Sequence, residues 1–212
     1  MPLKLYFLRH GQTPYSRANA FCGALDPDLT PEGTAMAQAF AEGYKNLAWT
    51  AAYVSPMKRT QATAAPLCQA LGLKMELRDG LKEIYYGQWE GLNPQEVNLK
   101  FHDDYVSWLA DPGWHAPTQG ERGVDIAYRS NQVLTEIEQT HESGNILIVS
   151  HKATIRIMLC GLLGIDVGRF RDRIAAPVAA VSVVEYGDHG PLLLALGERS
   201  HLSPELRQLP GT

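Results

Sequence analysis

Cysteine is scarce in this sequence: Cys22, Cys68 and Cys160 are the whole complement of 212 residues. They are odd in number, widely separated and in no paired spacing, so neither a disulfide framework nor a zinc site is expected. Three reduced thiols is the plainer reading. Long apolar runs are missing as well. No stretch reaches the 18 or so residues that read as a membrane span. The N-terminus, MPLKLYFLRHGQT, has one early Lys and a short apolar stretch, without the longer core and small-residue cleavage site of a signal peptide. The expected location is therefore cytoplasmic, with no membrane partner. Positive charge is not in excess: 19 Lys+Arg against 23 Asp+Glu give a formal net charge of −4. That balance argues against a nucleic-acid partner. There is no internal repeat and no low-complexity tract. What remains, 45% hydrophobic and 20% charged, is ordinary globular composition and excludes a disordered, collagen-like or coiled-coil chain. A chain of this length buries roughly 70% of its unfolded surface, and one domain over 1–212 is expected.

The apolar runs that are present are short and end abruptly. Leu3-Lys4-Leu5-Tyr6-Phe7-Leu8 stops at Arg9-His10-Gly11 and reads as a buried strand ending in a loop. Thr30-Pro31-Glu32 carries a helix start, with Thr as N-cap and Pro at the first helical position. Met36, Phe40, Tyr44 and Leu47 follow at helical spacing. A second run, Ala51-Ala52-Tyr53-Val54, ends at Ser55-Pro56. A helix over 59–71 closes at Gly72, and 73–77 reads as a third strand. Ile146-Leu147-Ile148-Val149 is the best strand and ends at Ser150-His151; a helix over 153–163 stops at Gly164. Two late β-rich runs, 178–186 and 192–196, predict a hairpin around Asp188-His189-Gly190. Apolar strands alternating with helices predict a three-layer α/β/α fold, a mostly parallel sheet with helices on both faces. Residues 89–123 break that rhythm. They hold three of the four Trp, with Pro, Gly and little periodicity, and are expected to form an inserted cap or lid.

Two buried strands thus each end on a histidine, His10 and His151. Ligands of open α/β sheets bind at the carboxyl ends of strands, so both histidines are expected in one crevice. Arg9 precedes His10, and Arg59 starts the helix after the second strand. Two guanidinium groups and two imidazoles make an anion site suited to phosphate or carboxylate.

These residues fall in stretches that resemble the histidine phosphatase superfamily, also called phosphoglycerate-mutase-like. Leu8-Arg9-His10-Gly11-Gln12-Thr13 is similar to its N-terminal signature, GALDPDLTPEG over 23–33 to the segment after it, and SPMKRTQATA over 55–64 to its second motif. LKEIYYGQWEG over 81–91 resembles the acid-bearing motif, and Ser150-His151 with Arg156 resembles the last. Five motifs in register over about 3–165 are far more specific than a lone Arg-His-Gly. The resemblance implies a phosphohistidine mechanism without metal or cofactor. His10 would be the nucleophile. Arg9, Arg59 and His151 would clamp the phosphoryl oxygens. Glu83 would protonate the leaving alkoxide and then deprotonate water. Gln12, Thr13 and Gly23 would add polar contacts or close backbone approach.

The chain departs from the family pattern at three places. Ser16 stands where the family often has a phosphate-touching Asn; it keeps a donor with shorter reach. Lys152 stands where a Gly often follows the second histidine. It could strengthen phosphate binding, recognise a substrate carboxylate, or be a solvated surface charge. Arg122 stands in place of Ser in a Gly-Glu-Ser that opens a helix.

The mutases of the family carry Glu-Arg-His-Tyr-Gly around the acid. Glu83-Ile84-Tyr85-Tyr86-Gly87 lacks that Arg-His pair, which favours a phosphatase acting on a small phosphomonoester. The metal-independent phosphoserine phosphatases of bacteria are the nearest likeness, through 25–29, 162–166 and 200–202, although some of that group carry His where Tyr86 stands. L-Phosphoserine is therefore the expected substrate. Arg122 or Lys152 would meet its carboxylate, Gln88 or Glu90 its ammonium, and His201 could fold back over the crevice. A sugar-phosphate phosphatase, an α-ribazole phosphatase, a mutase and a non-catalytic phospholigand-binding relative are the alternatives. A homodimer is the symmetry-based expectation.

Overall fold

A computed structural model describes residues 2–211. Among them, six strands form one mixed sheet: β1 (Leu3–Arg9), β2 (Trp49–Val54), β3 (Met75–Leu77), β4 (Gly144–Ser150), β5 (Val181–Gly187) and β6 (Gly190–Glu198). Their order is β3-β2-β4-β1-β5-β6. The first four run parallel, and the β5–β6 hairpin joins antiparallel to β1. The helices are α1 (Pro14–Arg17), α2 (Pro31–Tyr44), α3 (Lys58–Leu71), α4 (Pro94–Lys100), α5 (His102–Ala110), α6 (Gly123–Thr140), α7 (Lys152–Leu163), α8 (Phe170–Arg173) and α9 (Pro204–Gln208). No helix among the described residues is long and apolar enough to cross a membrane.

The alternation of side chains along a strand divides the core between the two sheet faces. Leu5, Phe7, Ile146 and Ile148 pack with Ile126, Leu134 and Ile137 of α6 and Ile155 and Met158 of α7. Leu8, Val54, Leu147 and Val149 turn the other way, onto Phe40 of α2 and Ala64 and Leu67 of α3. Strands buried on both faces must be apolar throughout, which is why β1 and β4 read as continuous runs. Helix ends follow local chemistry. Thr30 caps α2 by accepting from the Gly33 amide, while Gly72 and Gly164 end α3 and α7 at φ +64° and +67°, the left-handed backbone that glycine adopts without a Cβ penalty.

Two expectations change. Residues 89–123 are not irregular throughout: α4 and α5 lie within them, and Trp89, Val97 and Trp108 form a small core of their own, with Phe21 and Tyr105 against it. The hairpin also starts later than residue 178. Before β5 the chain wraps the end of β1, where the Ala180 carbonyl accepts from the Arg9 amide and the Ala179 amide donates to the His10 carbonyl.

Candidate active site

The parallel register brings the chemistry together. Arg9 of β1 lies opposite Ser150 of β4, so the residues that follow, His10 and His151, leave neighbouring strands at the same end. Their ring centroids are 5.2 Å apart. β2 flanks β4 on its other side and ends at Val54, and Ser55 follows just before α3 presents Arg59. A crevice of about 220 Å³ opens there, lined by Arg9, His10, Arg59, Glu83 and Lys152 among others.

His10 is buried, and its Nδ1 lies 2.8 Å from the Gly11 carbonyl oxygen. A carbonyl only accepts, so Nδ1 carries the proton and Nε2 keeps its lone pair. Burial, with Arg59 and Arg9 nearby, holds the ring well below the usual imidazole range, so it is neutral at pH 7. A neutral imidazole with a free lone pair between two guanidinium groups can attack a phosphorus whose oxygens those cations neutralise.

The two arginines are fixed from behind. Arg9 donates through Nη1 to the carbonyls of Ala176, at 2.7 Å, and Gly211, at 2.9 Å; burial lowers it to about 10, still charged at neutral pH. Arg59 donates through Nη1 to Leu25 O at 2.7 Å and through Nη2 to Gly23 O at 3.0 Å, with Asp26 Oδ1 3.5 Å from Nη1. Its Nε–H donates to His151 Nδ1 at 3.1 Å. Nε2 of His151 therefore carries the proton and donates to Ser55 Oγ at 2.8 Å. Both ring nitrogens of His151 are engaged, and burial first, then Arg59 and His10, keeps the ring neutral. It sits behind His10 and is absent from the crevice lining, so a contact with phosphate requires one of these bonds to be exchanged.

Glu83 reaches the same space from the loop after β3. Its carboxylate accepts from the Ala153 and Thr154 amides and from Thr154 Oγ1, each at 3.2 Å. The N-terminus of α7, with its unpaired amides and positive dipole end, is where a carboxylate is stabilised. The backbone that carries Glu83 is clamped by Arg129, which donates to the carbonyls of Gly80, Lys82 and Glu83 and pairs with Glu121 at 2.7 Å. Arg129 carries no motif signal; its place on the inner face of α6 is the one clue the sequence offers.

The remaining expected site residues divide. Thr13, Ser16, Tyr86 and Lys152 line the crevice. Ser16 closes a capping box with Thr13, its Oγ accepting from the Thr13 amide at 2.9 Å and donating to the Thr13 carbonyl at 3.1 Å, so its hydroxyl is directed into α1. The buried Tyr86 phenol is pushed well above its ordinary value by burial and Glu83. Burial and the neighbouring Arg9 and Arg156 bring Lys152 down to about 7. Gln12 is buried outside the crevice, donating to Pro210 O at 2.6 Å and accepting from Thr30 Oγ1 at 3.0 Å. A Cβ on Gly23 would stand 2.0 Å from Ile84 O, and its amide donates to Glu90 at 3.0 Å.

Four expected residues lie elsewhere or are otherwise engaged. Arg122 is exposed and paired to Asp125 at 2.8 Å, at the start of α6 and away from the crevice. His201 packs edge-on against Phe40 and Tyr44 of α2, its ring centroid 5.8 and 5.6 Å from theirs, so apolar packing decides its place. Glu90 is not open to an ammonium group: its carboxylate accepts from the amides of Gly23, Ala24, Leu25 and Tyr86. Gln88 is also outside the lining. Sequence reasoning in turn missed Arg171, whose guanidinium lies 4.1 Å over the Trp108 ring, and gave Arg156 no role; both line the crevice.

Known proteins resemble this chain over most of its length. The chain is 30% identical over 200 residues to phosphoserine phosphatase 1 of Hydrogenobacter thermophilus, covering 94% of each. It is 30% identical over 171 residues to a glucosyl-3-phosphoglycerate phosphatase of Mycolicibacterium vanbaalenii, covering 77% of this chain and 76% of the relative. Among solved structures, a mutant phosphoserine phosphatase of Entamoeba histolytica in complex with phosphoserine superposes with a TM-score of 0.85 at 26% identity, covering 95% of this chain and all of that one (100%). Residues 5–199 match the Histidine phosphatase superfamily (branch 1). With that match and those relatives, this chain belongs to the histidine phosphatase superfamily and is a phosphatase.

Proposed function

We propose that the chain hydrolyses a small phosphomonoester in two steps through a phosphohistidine on His10, without a metal ion. The observation that carries this reading is the state of His10: neutral, with Nδ1–H on Gly11 O and the Nε2 lone pair free beside Arg9 and Arg59. In the first step, with Glu83 entering as the carboxylic acid, Nε2 attacks phosphorus in line, the bond from phosphorus to the ester oxygen breaks, and the leaving alkoxide takes the Glu83 proton. In the second step Glu83 takes a proton from water, the resulting hydroxide attacks phosphorus, and the P–N bond breaks to return His10 to its starting state. Arg9 and Arg59 neutralise the equatorial oxygens throughout, the main contribution a protein makes to phosphoryl transfer. Gly11 O, accepting from Nδ1, steadies the positive charge on the phosphorylated ring.

Lys152, where the family often has Gly, supplies a cation for a carboxylate on the leaving group. That placement and the phosphoserine phosphatase relative at 30% identity support L-phosphoserine as the first substrate to assay. The experiment is phosphate release from a panel of small phosphomonoesters with wild type and His10→Ala. Wild type turns over at least one of them and His10→Ala none; a His10→Ala variant that keeps near wild-type activity overturns the mechanism.

A further inference from the structure

We infer that Lys152, Arg156 and Arg171 form a second anion subsite at the leaving-group end of the crevice, which takes a carboxylate or second phosphate on the substrate. The inference deepens the proposed function and rests on the crevice being the place where a phosphomonoester binds. Lys152 and Arg156 are one turn apart on α7 and so project on the same helix face. Arg171 comes from α8, with its guanidinium 4.1 Å over the Trp108 ring. All three line the crevice that holds His10.

Charge balance carries the argument. Several arginines elsewhere in the chain pair with carboxylates: Arg78 with Glu136, Arg129 with Glu121, Arg122 with Asp125 and Arg169 with Asp172. Lys152, Arg156 and Arg171 have no such ion pair among the described residues, and Arg156 Nε is buried without a hydrogen-bond partner. Grouped cations removed from water without counter-ions are costly. The crevice lining holds one carboxylate, Glu83, and its oxygens already accept from the start of α7. Arg9 and Arg59 suffice for the phosphoryl group. The other three basic groups are therefore more than a singly phosphorylated neutral substrate needs; a second anion offsets the two guanidinium groups and draws a proton onto Lys152. The volume is that of a small acid, and no free carboxylate stands there for an ammonium group, since Glu90 is taken up by backbone amides.

The test compares kcat/KM at one pH and ionic strength for 3-phosphoglycerate, L-phosphoserine, glycerol 1-phosphate, O-phosphoethanolamine and propanediol 1,3-bisphosphate. The carboxylate esters, the bisphosphate, or both exceed glycerol 1-phosphate by roughly 10-fold or more, the size expected of a charge-assisted contact, and phosphoethanolamine falls lowest. Which of the two classes leads identifies the second anion. Arg156→Gln and Arg171→Gln each shrink the preference for the leading ester over glycerol 1-phosphate several-fold, whereas Arg171→Lys, which keeps the charge, retains more of it. A wild-type ranking indifferent to charge, or glutamine variants with an unaltered ratio, overturns the subsite while leaving the phosphatase reading intact. Calorimetric binding of the same esters to His10→Ala reads the subsite without turnover. A preference for the second anion there supports the subsite even if no ester is hydrolysed, and equal affinities refute it.

Discussion

Anion binding in the crevice is expected to take up a proton on Lys152. Burial and the surrounding cations Arg9, Arg156 and Arg171 bring this ammonium down to about 7, with Glu83 as the one opposing charge that faces it. At pH 7.5 such a group is about one-quarter protonated. A unit charge at about 4 Å and an effective dielectric near 20 contributes about 4 kcal/mol, enough to return the ammonium to roughly its ordinary value near 10. Binding of a dianion at pH 7.5 therefore takes up about three-quarters of a proton per site through this residue. The sign follows from the same values. A group whose affinity for protons rises on binding makes the complex weaken as pH climbs from about 7 towards 10, and leaves affinity flat below about 7. Sulfate is the probe, because it does not titrate in this range. Its binding enthalpy, measured in buffers of different ionisation enthalpy, gives the proton number as a slope. Lys152→Met removes this share of the uptake. A variant with the same uptake as wild type would place the proton on a histidine, and no uptake in wild type would mean that Lys152 is already charged in the empty crevice. Either result refutes the reasoning.

Other consequences are open to direct measurement. Glu83→Gln leaves a side chain that cannot protonate an alkoxide, so turnover of an alkyl phosphate falls by about 10²–10⁴ and that of p-nitrophenyl phosphate far less; equal losses on both remove Glu83 as the proton donor. Gly23→Ala places a Cβ 2.0 Å from Ile84 O, so the loop that supplies carbonyls to Arg59 must move. A destabilisation of about 1–3 kcal/mol is expected in urea unfolding, and an unchanged midpoint contradicts the close approach. EDTA leaves activity intact; loss that Mg²⁺ restores contradicts a phosphohistidine route without metal.

The sheet and the phosphate end of the crevice were legible for one reason. Parallel strands covered on both faces must be apolar along their length, so β1 and β4 stand out, and the polar residues that terminate them, His10 and His151, are marked by contrast. The caps at Thr30, Gly72 and Gly164 are local chemistry and were readable for the same reason. α4 and α5 were not. They have seven and nine residues, about two turns each, too few repeats for a helical period to show. Their apolar groups face a small local core around Trp89 and Trp108. α6 is different: Ile126, Val133, Leu134 and Ile137 carry its helical spacing, and the signal was there to be taken.

The leaving-group end resists sequence reading because each of its parts has an unremarkable local setting. Arg171 stands in Phe-Arg-Asp-Arg, after Arg169 and before Arg173, and nothing in that stretch separates one arginine from the next. The fold separates them. Arg169 pairs with Asp172 on the surface, 3.9 Å apart, whereas Arg171 is drawn over a tryptophan more than sixty positions earlier in the chain. A cation on an aromatic face is held in place without being neutralised, so Arg171 keeps its charge for a ligand in a way that an arginine paired to a carboxylate does not. Lys152, where the family often has Gly, is equally hard to place from its local sequence. Its bland reading as a solvated charge fails because α7 begins inside the crevice, behind Glu83. The proposed phosphate site is built from Arg9 and His10 at the end of β1 and Arg59 in the first turn of α3. The subsite inferred for the leaving group is built from side chains on α5, α7 and α8, which can change without disturbing the sheet or the position of His10. A family with one nucleophile can therefore contain relatives named for different substrates, and under the inferred subsite the charge of this outer ring is what the substrate of this chain has to match.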